Sequence, residues 1–154
     1  MTLAERLQAD LTAAMRRRDA AQVACIRQLR SKVQEAANAP NFKGPVDDAL
    51  HLQLLASYCK SLQKAIVELA PAGVRSQPLR DSYATEIAYL QQYLPAPLGA
   101  AEVTQMASAA IATLGAAGDP KQAGKVLGAL MRGHAARLDV SQARQIIAQL
   151  LAPA

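Results

Sequence analysis

Residues 46–70 of the chain read VDDALHLQLLASYCKSLQKAIVELA, and this stretch decides the fold class. Its large apolar residues recur at spacings of three and four, which places their side chains on one face of an α-helix. The residues on this face are Leu55, Tyr58, Leu62, Ile66 and Leu69. Gly44 and Pro45 precede the stretch and Pro71 follows it, and neither residue type continues a helix easily. The pattern predicts a long helix from about Val46 to Ala70.

The same period recurs on both sides of this helix. Further helices are predicted at about residues 2–18, 19–37, 79–94, 100–114, 119–132 and from 139 onward. Their expected inward positions are Leu3, Leu7, Leu11, Ala14, Ile26, Leu29, Val33, Ala37, Tyr83, Ile87, Leu90, Leu94, Val103, Met106, Ala110, Ile111, Val126, Leu127, Leu130, Met131, Ala143, Ile146, Ile147 and Leu150. Because no stretch alternates with a period of two, the sequence predicts an all-α, multihelical fold.

Several helix starts carry capping signals. Three have the pattern of a capping box, in which two side chains three residues apart satisfy amide groups of the first turn. The pairs are Thr2 with Glu5, Asp19 with Gln22, and Asp139 with Gln142. Asp119 followed by Pro120 is a fourth start, since Asp favours the N-cap and Pro the first helical position.

Pro95 and Pro97 mark the clearest interruption of the helical pattern. The segments after them are shorter and richer in Ala. We therefore expect two small helical subdomains, an N-terminal long-helix bundle over residues 1–96 and a C-terminal three-helix unit over residues 97–154.

The positive charge is concentrated at the start of the chain. The formal net charge is +5, and residues 1–32 hold seven basic side chains, among them Arg16, Arg17, Arg18, Arg27 and Arg30, against three acids. Such a cluster is either a solvated helix face or a contact surface for a polyanion. Aromatic residues make up 3% of the chain, which disfavours stacking on single-stranded bases and favours recognition of folded RNA by shape.

Residue types that carry catalysis or bind metals are sparse. His51 and His134 have no Cys, carboxylate or second His at helical ligand spacing, and Cys25 and Cys59 are unclustered. We expect core thiols and surface imidazoles, no catalytic residues, no bound metal and no cofactor. The charged, amphipathic start and the lack of a long apolar run predict a cytoplasmic protein with no membrane contact.

Gly124 and Gly128 lie four apart in a predicted helix, and each costs about 1 kcal/mol of helix propensity relative to Ala. The surrounding Gly124-Lys125-Val126-Leu127-Gly128 lacks the spacing of a phosphate-binding loop and has no preceding strand. Two interpretations remain. The glycines either let a neighbouring helix pack closely, in which case a large side chain there lowers the melting temperature, or they let a ligand approach the backbone.

Three stretches together resemble one family. They are Ala72-Gly73 with Arg75 and the following Glu86-Ile87-Ala88-Tyr89-Leu90-Gln91-Gln92-Tyr93-Leu94-Pro95; Gly124-Lys125-Val126-Leu127-Gly128-Ala129-Leu130-Met131; and the opening from Leu7 to Met15 with Arg18-Asp19 and Ile26-Arg27-Gln28-Leu29-Arg30. This combination resembles the GatB/YqeY-like family. That family includes small free-standing proteins and the C-terminal tail of the GatB subunit of the aspartyl/glutamyl-tRNA amidotransferase.

The resemblance implies a multihelical fold in two subdomains and a non-catalytic module that contacts tRNA. In the amidotransferase, glutamine hydrolysis and amide transfer are carried out by other parts of the complex. Family labels that mention carbon–nitrogen ligation with glutamine as amido donor therefore imply no stand-alone activity here. The chain departs from the family pattern at Ala136 and Val140, which stand where the family tends to have glycines.

The leading hypothesis is a tRNA-binding module, and the alternative is a protein-interaction adaptor that docks on a tRNA-handling enzyme such as an aminoacyl-tRNA synthetase or an amidotransferase. DNA is not an expected partner. The RNA-binding candidates are Arg16, Arg17, Arg18, Arg27, Arg30, Lys121, Lys125 and Arg137. The expected structural motif residues are Gly124, Gly128, Tyr93 and Pro95.

Overall fold

The computed structural model describes residues 1–153 and contains helices and no strand among them. The predicted all-α, multihelical fold is confirmed. The helices are α1 (Leu3–Arg17), α2 (Ala20–Ala37), α3 (Asp48–Leu69), α4 (Gln77–Leu90), α5 (Ala100–Leu114), α6 (Ala123–Met131) and α7 (Val140–Leu151). Short 3-10 turns precede or follow them at Ala70–Ser76, Gln91–Tyr93 and Pro120–Gln122.

The chain divides into two compact units, Met1–Leu94 and Pro95–Ala154. In the first unit, α1 and α2 form a hairpin and α3 and α4 form another. The core between them is built from Leu3, Leu7, Leu11, Cys25, Ile26, Leu29, Leu55, Cys59, Leu62, Ile87, Leu90 and Tyr93. The predicted subdomains, residues 1–96 and 97–154, stay a prediction.

The caps differ from the sequence prediction at two of the three expected boxes. Thr2 and Glu5 form the complete box, with the Thr2 hydroxyl accepting from the Glu5 amide and the Glu5 carboxylate accepting from the Thr2 amide. Asp19 and Asp139 cap α2 and α7, but the return bond is missing at both. At Asp19 the reason is visible, because the Gln22 side chain accepts from Arg17 instead, at 2.8 Å.

Arg18 ends α1 and turns the chain into α2. Its backbone is left-handed, with φ of 59°, and its amide bonds to the carbonyls of Ala14 and Met15. A left-handed C-cap satisfies the free carbonyls of the last turn and reverses the chain direction. The three arginines at this position therefore stand at a tight helix junction.

The turn between α3 and α4 is rigidly braced. Gly73 has φ of 63°, a conformation that favours glycine. Its carbonyl accepts from the Ser76 hydroxyl at 3.0 Å and from the Arg80 guanidinium at 3.1 Å. The turn consequently places Val74 at its apex, where the residue is 89% exposed to solvent.

Tyr93 ties α1 to the end of α4. It is buried, and its hydroxyl donates to the Asp10 carboxylate at 2.6 Å. The Tyr89 hydroxyl lies 3.2 Å away, and the Arg6 guanidinium stacks over the Tyr93 ring at 4.8 Å from its centroid. Burial, followed by the hydrogen bond to Asp10, raises the pKa of Tyr93 above its ordinary range. The tyrosine of the Tyr-Leu-Pro motif is thus a buried link between two helices.

In the second unit, α5, α6 and α7 pack around a small core that includes Val103, Ala107, Val126, Leu130, Ala143 and Ile147. Ala107 and Ala143 are fully buried, which lets the three helices approach closely. Two predicted core positions in this unit are wrong. Met131 and Leu150 are 40% and 37% exposed. Leu151 is buried in place of Leu150, because the buried residues of α7 recur at every fourth position, at Ala143, Ile147 and Leu151.

Replacing Tyr93 by Phe should lower the free energy of unfolding by about 1–2 kcal/mol, because it removes a hydrogen bond to a charged group. Tyr83→Phe is the matched control, since the Tyr83 hydroxyl is half-buried without a hydrogen-bond partner among the described residues. Urea unfolding measures both. Equal losses in the two variants would contradict the role of the Tyr93–Asp10 bond.

The dependence of the free energy of unfolding on alkaline pH should also change in the Tyr93→Phe variant. The pKa of Tyr93 is higher in the folded protein than the unfolded value of about 10, so the neutral hydroxyl stabilises the fold below that pH. Wild-type stability should therefore fall as the pH rises above about 10, and Tyr93→Phe should remove part of this slope. A slope unchanged by the substitution would show that other groups cause it.

Candidate functional site

The arginines at the α1–α2 junction lie at the surface. Arg16, Arg17, Arg18, Arg27 and Arg30 are all exposed. Arg17 donates to the Gln22 side chain at 2.8 Å and Arg30 donates to the Gln8 side chain at 2.7 Å. From Asp19 to Arg30 the helix rises about 16 Å, at roughly 1.5 Å per residue. Arg16, Arg17 and Arg18 lie at the end of α1, and Arg27 and Arg30 lie on α2. We call these five residues of the hairpin the arginine strip.

One side of α6 is open. Gly124 and Gly128 are exposed, and a Cβ added at either would meet no atom within 4 Å. Three basic residues nearby are also exposed: Lys121 in the 3-10 turn before α6, Lys125 beside Gly124 in α6, and Arg132 directly after the end of α6. We call these five residues the open face of α6. Arg132 was missed in the sequence analysis, although it lies four residues after Gly128 and seven after Lys125.

The structure excludes one of the two interpretations of Gly124 and Gly128. Close packing of a neighbouring helix is wrong, because no atom occupies the space where a side chain would stand. The expectation that Leu at either position lowers the melting temperature through lost helix contact fails with it. Approach of a ligand to the backbone stays a prediction.

Arg137 is held by hydrogen bonds within the second unit. It is half-buried, its Nε donates to the Ala96 carbonyl at 2.8 Å, and its own carbonyl accepts from the Leu98 amide at 2.9 Å. These bonds fasten residues 96–98 to the loop before α7. Pro95, at the start of this segment, is exposed.

A groove of about 740 Å³ lies in the first unit between α2 and α4, with Tyr58 of α3 also in its wall. The Tyr58 hydroxyl donates to the Glu86 carboxylate. Burial, and then the charge of Glu86, raises the pKa of the Cys25 thiol to about 12 and raises that of Tyr58 above its ordinary range. Burial and Glu86 also raise the pKa of Cys59. A nucleophilic cysteine needs the opposite shift, because the thiolate is the reactive form.

The expected core thiols are confirmed, since Cys25 and Cys59 are buried and free. The expected surface imidazole is wrong for His51, which is 6% exposed and places Nδ1 2.7 Å from the Asp47 carbonyl. His51 belongs to the first turn of α3, where that carbonyl is in reach of its ring. His134 is half-buried. Residues 1–153 contain no group of three His, Cys, Asp or Glu side chains arranged to hold a metal ion.

Both thiols should resist a disulfide reagent such as Ellman's reagent at pH 8. With a pKa of about 12, the thiolate fraction of Cys25 is about a thousandfold below that of an ordinary cysteine. Release of the chromophore should follow the rate of unfolding and should become fast for both thiols in guanidinium chloride. Rapid labelling of the folded protein would contradict the burial of the two side chains.

No described helix combines the length and apolarity that a bilayer crossing requires. No curated protein matches the chain significantly. The family model for Yqey-like proteins matches residues 4–151, which include both helical units. With its all-α fold, the buried tyrosine of the Tyr-Leu-Pro motif and the Gly-Lys-Val-Leu-Gly-Ala-Leu-Met helix, the chain belongs to the Yqey-like protein family.

Proposed function

We propose that the protein is a non-catalytic module that binds folded tRNA in the cytoplasm, related in role to the tail of the tRNA-dependent amidotransferase. The observation that carries the proposal is the open face of α6, where two exposed glycines lie beside Lys121 and Lys125. The family relation supports it, since the resemblance to the amidotransferase tail implies contact with tRNA.

The glycines have a physical cost that packing does not explain. Each destabilises a helix interior by about 1 kcal/mol relative to Ala, and no neighbouring atom fills the space above Gly124 or Gly128. A contact outside the second unit accounts for them. Without side chains, the backbone of α6 can be approached closely by a ribose–phosphate chain.

The charges beside the glycines suit this ligand. Lys121 and Lys125 can neutralise phosphates and release their counterions. Gly124 lies in the first turn of α6, where the positive end of the helix dipole favours an anion. Arg132 adds a third cation at the other end of the helix. The open face thus combines close approach with phosphate neutralisation.

The arginine strip extends the same chemistry in the first unit. The side chains of Arg16, Arg18 and Arg27 make no hydrogen bond or ion pair with the described residues, so their guanidinium groups are available. The tyrosines and Phe42 are all buried or half-buried. Because no exposed ring is offered for base stacking, the protein suits folded RNA recognised by shape and phosphate position.

One observation favours a protein-interaction adaptor as the second candidate. The braced turn between α3 and α4 holds Val74 89% exposed, and Val67 on α3 is 71% exposed. An apolar apex held rigid by Ser76 and Arg80 is suited to a pocket on a tRNA-handling enzyme. In that case the partner enzyme would bind mainly through the turn, and the charged surfaces would contribute less to binding.

A salt titration of tRNA binding tests the leading proposal. For wild type, the affinity should fall steeply with salt, with a log–log slope on the order of −3 to −5. The double variant Lys121→Gln, Lys125→Gln should flatten the slope by up to about two units. The triple variant, in which Arg16, Arg17 and Arg18 are replaced by Ala, should flatten it by up to about three units. The control is Lys64→Gln with Arg144→Gln, which removes the same charge from exposed positions on α3 and α7.

Equal slopes in the control and in both test variants would remove these surfaces from the site. No binding at about 50 mM salt would overturn the RNA proposal and favour the adaptor. The adaptor further predicts that Val74→Asp abolishes association with its enzyme while leaving the tRNA slope unchanged.

Gly124→Ala and Gly128→Ala should each raise the free energy of unfolding by about 0.8–1 kcal/mol, since they gain helix propensity without a clash. The same substitutions should weaken tRNA binding, because the added methyl groups occupy the open face. Gly115→Ala is the control, because its φ of 63° makes a side chain unfavourable and the change should destabilise. If both α6 variants were less stable than wild type, the result would contradict the empty space above Gly124 and Gly128.

A further inference from the structure

Arg18 adopts a backbone conformation that is unfavourable for its residue type. It is the only non-glycine residue with a positive φ among residues 1–153, with φ of 59° and ψ of 32°. In this left-handed region the Cβ of an L-residue comes too close to the following carbonyl oxygen. Glycine avoids this contact and is therefore the usual residue where a helix ends in a left-handed turn. An arginine at this position carries a steric cost.

The fold uses the backbone of Arg18. Its amide donates to the Met15 carbonyl at 3.1 Å. The next amide, of Asp19, donates to the Ala14 carbonyl at 2.9 Å. This pair of bonds closes the end of α1, and any residue in the left-handed conformation would supply it. Gly115 has the same position at the end of α5, with φ of 63°.

The side chain of Arg18 makes no polar contact with the described residues. It is exposed, and it takes part in no hydrogen bond or ion pair. The carboxylate of the neighbouring Asp19 accepts from the Gln22 amide at 3.0 Å as the cap of α2. Burial, hydrogen bonding and ion pairing within residues 1–153 therefore do not explain why this position carries a guanidinium group.

Positive charge alone does not explain it either. Arg16 and Arg17 lie in the last turn of α1, where cations interact favourably with the helix dipole. The end of the helix thus already carries two cations on ordinary helical backbone. A bulky residue that is held in an unfavourable conformation is typical of ligand-binding positions, because a contact to the ligand can offset its cost.

All five cations of the arginine strip are arginines, although the chain also contains lysines. A guanidinium presents paired N–H donors that match two oxygens of a phosphate, whereas an ammonium group acts as a point charge. We propose that Arg18 binds a backbone phosphate of the RNA through two parallel hydrogen bonds. Its loss then weakens binding more than the loss of Arg16 or Arg27, whose side chains are equally free but whose backbones are unstrained. This inference rests on the proposed function, since it takes folded tRNA as the ligand.

Two substitutions at position 18 separate the side chain from the backbone strain. Arg18→Ala removes the guanidinium and keeps a Cβ in the left-handed conformation, whereas Arg18→Gly removes both. Arg18→Gly should melt on the order of 4 °C higher than Arg18→Ala, because glycine relieves the strain. Both should lose affinity for unfractionated tRNA by about tenfold or more, as expected when a hydrogen bond between charged groups is lost. Affinity should thus depend on the guanidinium and not on the melting temperature.

Arg18→Lys tests the paired hydrogen bonds. It keeps the charge and should therefore keep the log–log salt slope of wild type. It should nevertheless bind tRNA several-fold more weakly at every salt concentration, because an ammonium group cannot make the paired contact.

Arg16→Ala and Arg27→Ala are the matched controls within the strip, since each removes one exposed arginine whose side chain has no polar partner among the described residues. Each should weaken tRNA binding less than Arg18→Ala does. Arg144→Ala removes an exposed arginine of α7 and should leave the affinity close to that of wild type. Circular dichroism verifies that all the variants remain folded.

Wild-type affinity in Arg18→Gly would overturn the proposal, as would a loss in Arg16→Ala or Arg27→Ala as large as that in Arg18→Ala. An unchanged affinity in Arg18→Lys would overturn the paired contact, and equal melting temperatures of the Gly and Ala variants would contradict the strain. In each of these cases wild type still binds tRNA, so the proposed function stands. If wild type binds no tRNA, the proposed function fails and the role of Arg18 fails with it.

Discussion

The hydrogen bond from the buried Tyr93 hydroxyl to Asp10 is the contact on which the first unit depends most directly. It joins residues 83 positions apart and sets the distance between α1 and the end of α4. The Arg6 guanidinium covers the ring from one side, and the Tyr89 hydroxyl completes the set. In a chain with 3% aromatic residues, one tyrosine supplies both the volume and the polar link that a larger core would distribute over several side chains.

The arginine strip and the groove follow from the helix arrangement of the first unit, and the open face of α6 follows from small residues in the second. Once α1 is fixed, the left-handed turn at Arg18 sets the direction of α2, and with it the arginine strip. The groove is open because alanines, not larger residues, stand between α2 and α4. In the second unit, buried Ala107 and Ala143 draw the helices together, while the exposed glycines of α6 leave its other side free. In the second unit, small residues thus allow the helices to pack closely in the core and leave the outer side of α6 accessible.

The sequence predicted the fold well because helical periodicity and caps are local signals. The helix over Ala100–Leu114 has the predicted bounds, and Asp19, Asp119 and Asp139 each cap a helix start. Local signals fail where a residue has a choice of partner. Gln22 bonds to Arg17 and so does not complete a capping box, and Leu151 takes the inward position expected for Leu150.

The site was harder to predict because exposure is a property of the whole unit. The spacing of Gly124 and Gly128 is equally suited to helix packing and to ligand approach, and only the empty space above them in the folded unit excludes packing. Arg137 illustrates the reverse case. Its charge made it a candidate for phosphate contact, whereas its bond to the Ala96 carbonyl depends on residues 41 positions away. The groove brings together Asp19 and Glu86 from two helices, and no sequence motif joins them.

The proposed contact between the open face of α6 and tRNA can be followed by backbone NMR of the labelled protein. Amide signals of glycines are well separated from most others, so Gly124 and Gly128 can be followed during a titration with folded tRNA. The account predicts that their signals and those of Lys121 and Lys125 shift first and saturate together, with smaller shifts at Arg16 to Arg18. Shifts confined to the turn around Val74, or none at equimolar tRNA in low salt, would contradict it.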